Sequence, residues 1–128
     1  MRNPAPFNTL LGLHVVHCSP ERSEAQLRVR EELCNGFGVL HGGAVMALGD
    51  TLGGMTTISG LPADGRTTTI ESKTNFFAAL RLGDTAHAVC APLHRGRTTV
   101  VLETRITRAD GKLAAIVTQT QLLFGSDA

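Results

Sequence analysis

The chain has 128 residues, of which 42% are hydrophobic and 18% are charged, and its formal net charge is +1. This length fits a single domain over residues 1–128 that can bury a core without disulfide or metal staples. The balanced charge and the scattered lysines and arginines argue against a nucleic-acid partner. No apolar run reaches the roughly 20 residues of a membrane helix, so no membrane partner is expected.

The cysteines give a further hint about the cellular compartment. Cys18, Cys34 and Cys90 are an odd number and lack the spacing of metal ligands. Such a set argues against a disulfide framework and for a reducing environment. Each is expected to be a small buried residue. The first residues lack the apolar core of a signal peptide, so we expect a cytoplasmic protein. Because the cysteines lack the spacing of metal ligands, no bound metal is expected.

The first predicted elements precede a long helix. A short helix is expected over about residues 4–12, where a proline favours a helix start. One strand is expected over about residues 15–30. In it, Ala25, Leu27 and Val29 alternate with polar residues, which predicts that these three form the buried face.

The segment from residue 41 to about 58 is the one good helix candidate. Its helically spaced apolar residues are Ala44, Val45, Leu48, Leu52 and Met55. It also contains five glycines, each of which costs about 1 kcal/mol relative to alanine in a helix interior. Such a helix makes sense where neighbours approach its backbone closely. A curved sheet wrapped around the helix meets that condition.

Four further strands complete the predicted order. They cover about residues 66–77, 84–93, 98–107 and 114–124. The Asp-Gly turn at residues 110–111 lies between alternating runs, a strong hairpin signal. Alternation predicts one face formed by Thr98, Val100, Leu102, Thr104 and Ile106, continued by Ala114, Ile116, Thr118, Thr120, Leu122 and Phe124. The order indicates an α+β fold with one antiparallel sheet and one principal helix.

The start of the long helix carries the chemistry. Gly42 and Gly43 leave backbone N–H groups uncovered where the helix dipole favours negative charge. Two turns later Asp50 stands between Leu48 and Leu52. A Gly-Gly pair is often only a helix start, and an aspartate in a helix is usually solvated. The apolar flanks instead predict a buried carboxylate beside a cavity, with an oxyanion site at the glycines.

The pattern His-Gly-Gly-x6-Asp over residues 41–50, followed by a threonine-rich strand that ends in Asn-Phe-Phe at residues 75–77, resembles the hotdog-fold acyl-CoA thioesterases. The most similar branch contains the phenylacetate-pathway and 4-hydroxybenzoyl-CoA thioesterases. The resemblance extends from about residue 8 to residue 124. It implies a hotdog fold, in which a curved antiparallel β-sheet wraps a long central helix.

The resemblance also implies site residues. Asp50 corresponds to the family's nucleophile or general base, and the Gly42 N–H to the donor that polarises the thioester carbonyl. Asn35 corresponds to a residue that orients substrate or water, and His41 to one that contacts the thioester or holds the loop. Thr69 corresponds to a hydroxyl that positions the water. A slip of one or two residues would transfer that role to Thr68 or Thr67.

Other expectations concern ligands and assembly. The resemblance suggests that Arg95 and Arg97, which flank a glycine at a turn, meet the phosphates of coenzyme A. Glu71 shares a predicted strand face with Thr69, where it would assist catalysis or simply face solvent. No separate cofactor is implied, because coenzyme A belongs to the substrate. The family builds its site between two subunits, which implies a homodimer as the minimum active unit and a homotetramer as its assembly.

The resemblance therefore implies hydrolysis of an aryl-acyl or medium-chain acyl-CoA to the free acid and coenzyme A. The main alternative is a non-catalytic hotdog protein that binds acyl-CoA as a ligand sensor. A hydratase of the same fold would pair an aspartate with a histidine in another arrangement, which this sequence lacks. A purely structural dimer would leave the glycines and Asp50 without a purpose.

Overall fold

The computed structural model describes residues 5–125. The helices are α1 (Pro6–Leu11) and α2 (Gly42–Ser59), with a short 3-10 turn at Glu31–Leu33. The strands are β1 (His14–Cys18), β2 (Ser23–Arg28), β3 (Gly65–Phe76), β4 (Thr85–Arg95), β5 (Thr99–Thr107) and β6 (Leu113–Gly125). They form one antiparallel sheet in the order β1-β2-β4-β5-β6-β3. Neither helix of the described chain is long and apolar enough to span a bilayer.

Helix α2 packs against all six strands, and the core lies between the helix and the sheet. Two of its glycines allow this close approach. A Cβ atom on Gly49 would lie 2.5 Å from Cγ2 of Val117, and one on Gly53 would overlap the side-chain amide of Gln119. The prediction of a helix held closely by a curved sheet is therefore confirmed.

Helix α1 confirms the predicted N-terminal helix, and Arg30 holds its C-terminal end. The Arg30 guanidinium donates hydrogen bonds to the carbonyl oxygens of Leu10 and Leu11, the latter at 2.7 Å. Gly12 follows with φ 76°, the left-handed conformation in which glycine ends helices at no steric cost. This tether fixes the end of α1 to the segment that follows β2.

The single strand predicted over residues 15–30 is wrong. β1 and β2 form a hairpin, closed by a turn in which the N–H of Ser19 donates to the carbonyl of Arg22 at 3.1 Å. The Ser19 hydroxyl bonds the same carbonyl at 2.8 Å. Serine followed by proline is a turn signal that the strand prediction overlooked. Ala25, Leu27 and Val29 are nevertheless buried as predicted.

The predicted face of β5 is confirmed for Val100, Leu102, Thr104 and Ile106, which are all buried, whereas Thr98 precedes the strand and is exposed. The predicted continuation of this face on β6 is wrong. Ala114 at the start of the strand is buried. Beyond it, β6 turns Ala115, Val117, Gln119 and Gln121 toward the helix, whereas Ile116, Thr118 and Thr120 between them are only partly buried. The reason is register: Val117 stands opposite the buried Thr104, and directly paired residues share a face.

The cysteines were also predicted incorrectly in part. Cys90 is fully buried, whereas Cys34 is partly buried and Cys18 is exposed. Cys18 belongs to the edge strand β1, which has a neighbour on one side only. Burial raises the pKa of the Cys90 thiol, which favours its neutral form. All three are free thiols.

Candidate active site

The start of α2 leaves one backbone donor open. Nδ1 of His41 caps the helix by accepting the N–H of Gly43 at 2.8 Å, and the His41 carbonyl accepts the next two N–H groups. Within the described chain, no acceptor takes the N–H of Gly42. The Phe76 ring lies beside this glycine, 3.4 Å from where a Cβ atom would stand. The Gly42 N–H is therefore available to a ligand oxygen.

Asp50 lies two turns further along α2. The expectation that it is buried is wrong for the single chain, in which its side chain is exposed. The reason is that Leu48 and Leu52 face the sheet and are completely buried, whereas Asp50 is on another side of the helix. Exposure leaves the carboxylate accessible to a ligand or a second chain.

The hydroxyl of Thr69 donates a 2.7 Å hydrogen bond to Oδ1 of Asp50. Its neighbours do not share this contact. Thr67 directs its hydroxyl to the side chain of Gln121 and the carbonyl of Leu122, and Thr68 is exposed. Of the three threonines, Thr69 is therefore the one that the structure brings to Asp50.

Glu71 does not share the strand face of Thr69, because a bulge interrupts β3 between them. Thr69 stands opposite Gln121 on the inner side, whereas Glu71 stands opposite Thr120 on the outer side. An extra residue in one strand reverses the alternation beyond it. The shared face predicted for Glu71 is therefore wrong.

Two buried glutamines support this region, and the sequence did not predict them. Gln119 and Gln121 are 0% and 1% exposed. Nε2 of Gln121 donates to Oγ1 of Thr69 and to Oε1 of Gln119, both at 2.6 Å. Nε2 of Gln119 donates to the carbonyl of Gly49 at 2.8 Å. The only signal in the sequence was amide side chains at alternate positions of a strand.

An open pocket of about 350 Å³ lies beside Asp50. Its walls come from α1, α2, β3 and β6: Ala5, Asn8, Asp50, Thr51, Gly54, Met55, Ile58, Thr67, Thr68, Thr69 and Gln121. Gly54 follows Asp50 by about one helical turn, and a Cβ atom there would have no neighbour within 4 Å. The pocket therefore combines one carboxylate with threonine and amide side chains and with the apolar side chains of Met55 and Ile58.

The remaining predicted residues are not joined to Asp50 within one chain. Oδ1 of Asn35 accepts the N–H groups of Phe37 and Val39 at 2.9 and 3.4 Å, so it organises the loop before α2. Arg95 and Arg97 are exposed at the turn between β4 and β5. Arg95 lines a separate pocket of about 200 Å³ near the C-terminal end of α2.

The architecture, a long helix held in a curved antiparallel sheet, is that of the hotdog fold. The thioesterase superfamily matches residues 37–115, more than half of the chain. The chain therefore belongs to the thioesterase superfamily, and it is a thioester hydrolase. This confirms the resemblance at the level of the family, while the phenylacetate-pathway branch stays a prediction.

Individual relatives agree with the family. The Mycobacterium tuberculosis protein Rv1847, provisionally named an esterase, is 32% identical over 95 residues, 72% of this chain and 67% of its own. A 1,4-dihydroxy-2-naphthoyl-CoA hydrolase from Listeria monocytogenes is 27% identical over 106 residues, 83% of this chain and 85% of its own. A hypothetical thioesterase from Streptococcus pneumoniae, solved with coenzyme A, superposes with a TM-score of 0.82 at 26% identity, covering 88% of this chain and 86% of that one.

Proposed function

We propose that the protein hydrolyses acyl-CoA thioesters to the free acid and coenzyme A, with Asp50 as the reacting carboxylate and the Gly42 N–H as the oxyanion donor. The observation that carries the proposal is the Asp50 carboxylate, held at Oδ1 by Thr69 and open to a pocket. The Streptococcus pneumoniae relative was solved with coenzyme A, and the Listeria relative is named for a CoA thioester. Both support coenzyme A as the carrier of the acyl group.

The chemistry needs a polarised carbonyl and an oxygen nucleophile. A hydrogen bond from Gly42 to the carbonyl oxygen stabilises the negative charge that develops there, and such a donor typically contributes about 10²–10³ in rate. Asp50 either attacks the carbonyl carbon itself or removes a proton from an attacking water. In both cases the carbon–sulfur bond breaks, coenzyme A leaves as the thiol, and water supplies the new carboxylate oxygen. Neither step requires a metal or another cofactor.

The helix geometry supports a site shared by two copies of the chain. Gly42 and Asp50 are eight residues apart in α2, which places them about 12 Å apart along the axis. One thioester carbonyl cannot contact both from a single helix. We therefore propose that Asp50 of one copy faces Gly42 of another in a homodimer, and that two dimers form a homotetramer.

The surface around the site suits this assembly. β3 is an edge strand whose outer backbone edge is open to pairing. Ile70, Phe76 and Phe77 on or just after β3 are each more than half exposed, and Phe37 in the loop before α2 is 91% exposed. Covering these apolar side chains with a second copy would remove them from water and enclose Asp50.

The pocket beside Asp50 is proposed to hold the acyl group. Its volume of about 350 Å³ and its apolar residues Met55 and Ile58 suit an aryl-acyl or a medium-chain acyl group. Gly54 leaves space for it where any side chain would intrude. A long acyl chain would have to leave through the mouth of the pocket.

The other predicted residues keep secondary roles in the proposal. Arg95 and Arg97 would bind the phosphates of coenzyme A. His41 caps the start of α2, and Asn35 stabilises the loop that precedes it. Together the two residues would keep the Gly42 N–H directed toward the substrate. Free thiols fit a cytoplasmic location.

Thiol release from a panel of acetyl, hexanoyl, palmitoyl, phenylacetyl and hydroxybenzoyl coenzyme A thioesters tests the proposal. We expect hydrolysis of the phenylacetyl, hydroxybenzoyl or hexanoyl thioester, and loss of at least about 100-fold in kcat for Asp50→Asn and Asp50→Ala. Glu71→Gln is the matched control, because it removes a carboxylate from the outer side of β3, and this variant should retain activity. The exposed Cys18 reacts with thiol reagents, so its signal without substrate is subtracted.

Binding distinguishes the alternative. If the native protein binds the thioesters without releasing thiol, the enzyme mechanism is wrong and the non-catalytic sensor takes its place. Activity that persists in folded Asp50→Asn would remove Asp50 from the mechanism. Size-exclusion chromatography of each variant shows whether the loss of activity reflects the carboxylate or a failure to assemble.

A further inference from the structure

The two buried glutamines form a hydrogen-bond relay whose direction is fixed. A backbone carbonyl only accepts hydrogen bonds. Because Gln119 bonds the Gly49 carbonyl at 2.8 Å, the group it presents there is its NH2, and its Oε1 must face Gln121. Gln121 consequently presents its own NH2 to Gln119. The orientation of both amides therefore follows from one helix carbonyl.

The direction of the Thr69 hydroxyl proton follows from the same hydrogen bonds. Gln121 directs its NH2 to both Oε1 of Gln119 and Oγ1 of Thr69, while its Oε1 accepts the Thr67 hydroxyl at 2.8 Å. Thr69 thus receives a hydrogen bond from Gln121. Its own proton is left to point at Oδ1 of Asp50, 2.7 Å away. The relay runs from the helix carbonyl before Asp50 to the carboxylate of Asp50 itself.

We propose that Gln121 is a positioning residue for the reaction at Asp50, acting through Thr69, with Gln119 holding Gln121 in the required orientation. This inference rests on the proposed role of Asp50. Because Oδ1 accepts the Thr69 hydroxyl, Oδ2 is the oxygen directed to the substrate or to the attacking water. The relay fixes the carboxylate in the rotation that the reaction requires.

Burial explains why two amides serve here. Both glutamines are almost inaccessible to water, so solvent cannot replace a missing donor or acceptor. An amide offers donors and an acceptor from one side chain, whereas a carboxylate at position 121 could only accept. Gln121→Glu would therefore draw the Thr69 proton away from Asp50 and reverse the last link of the relay.

The test is a double-mutant cycle on kcat with the best thioester of the panel. We expect Thr69→Val and Gln121→Met each to lower kcat by about 10- to 100-fold with little change in KM. Thr69→Val removes the hydrogen bond to the charged carboxylate, and Gln121→Met removes the hydrogen bond that orients the Thr69 hydroxyl toward it. The double variant Thr69→Val/Gln121→Met should be no slower than Thr69→Val alone, since Gln121 acts only through Thr69. Thr69→Ser, which keeps the hydroxyl, should retain kcat within about 3-fold of the native value.

Controls separate positioning from folding. Gln26→Met makes the same replacement on the outer side of β2 and should leave kcat unchanged. Thermal unfolding of each variant reports structural damage, and Gln121→Asn, with a shorter amide, replaces Gln121→Met if the latter does not fold. We expect Gln121→Asn to lower kcat because its NH2 falls short of Thr69.

The outcomes are distinguishable. If Asp50→Asn abolishes hydrolysis but folded Gln121 variants keep native kcat, the relay is refuted and the proposed function stands. If the loss of kcat in the double variant equals the product of the two single losses, action of Gln121 through Thr69 is refuted as well. If the native protein releases no thiol, or if folded Asp50→Asn retains native kcat, the proposed function itself fails, whatever the Gln121 variants do.

Discussion

Three glycines of α2 provide a matched test of how closely the sheet approaches the helix. Gly49, Gly53 and Gly54 lie in the same helix, so replacing any of them by alanine gains about 0.5–1 kcal/mol of helix propensity. Their surroundings differ. A Cβ atom would lie 2.5 Å from Val117 at Gly49, would overlap the Gln119 amide at Gly53, and would meet nothing within 4 Å at Gly54.

The expected stabilities follow from these distances. Gly54→Ala should stabilise the protein by about 0.5–1 kcal/mol, which corresponds to a rise of about 2–4 °C in Tm. Gly49→Ala should lose about 1–3 kcal/mol to overpacking against Val117, more than the propensity gain, giving a Tm lower by up to about 8 °C. Gly53→Ala should cost at least as much, because the displaced Gln119 amide also loses its hydrogen bond to the Gly49 carbonyl and becomes a buried donor without an acceptor.

Thermal unfolding followed by circular dichroism, at one protein concentration for all variants, measures these shifts. Equal Tm shifts for the three variants would refute the close approach of β6 to the helix. A destabilised Gly54→Ala would show that another surface, such as a second copy of the chain, fills the space at Gly54. Activity gives a second reading, since Gly53→Ala should also lower kcat by disturbing the relay, whereas Gly49→Ala leaves Gln119 in place.

Three further predictions concern other parts of the molecule. Arg30→Ala should release α1, speeding hydrogen exchange of the α1 amides but not those of α2, and should cost roughly 1 kcal/mol on chemical denaturation. The hydrogen bond from the Arg108 guanidinium lowers the pKa of Asp110 from 3.8 to about 2. The stabilisation by the Asp110 carboxylate is therefore present above pH 3.8 and is lost as the pH falls toward 2. The Tm difference between the native protein and Asp110→Asn should vanish across that range. Cys90 should resist alkylation until unfolding, as read by mass spectrometry, whereas Cys18 reacts in the native state.

The sequence by itself determined much of this protein. Apolar spacing and the glycine pair located α2, alternation located β3 to β6, and the Asp-Gly turn marked the final hairpin. Asp50 and Gly42 were identified because a mid-helix carboxylate and an open helix start are local features. The family resemblance rested on the same residues. Local patterns sufficed wherever the physical cause lies within a few residues of its effect.

Tertiary structure alone decided which faces meet. Alternation in β6 cannot show which of its two faces is buried, and pairing with β5 turned Gln119 and Gln121 inward against expectation. The bulge in β3 moved Glu71 away from Thr69, although their spacing predicted a shared face. Register and bulges depend on contacts between segments far apart in the chain, so hydrogen bonds such as that between Thr69 and Asp50 emerge only when the sheet closes around the helix.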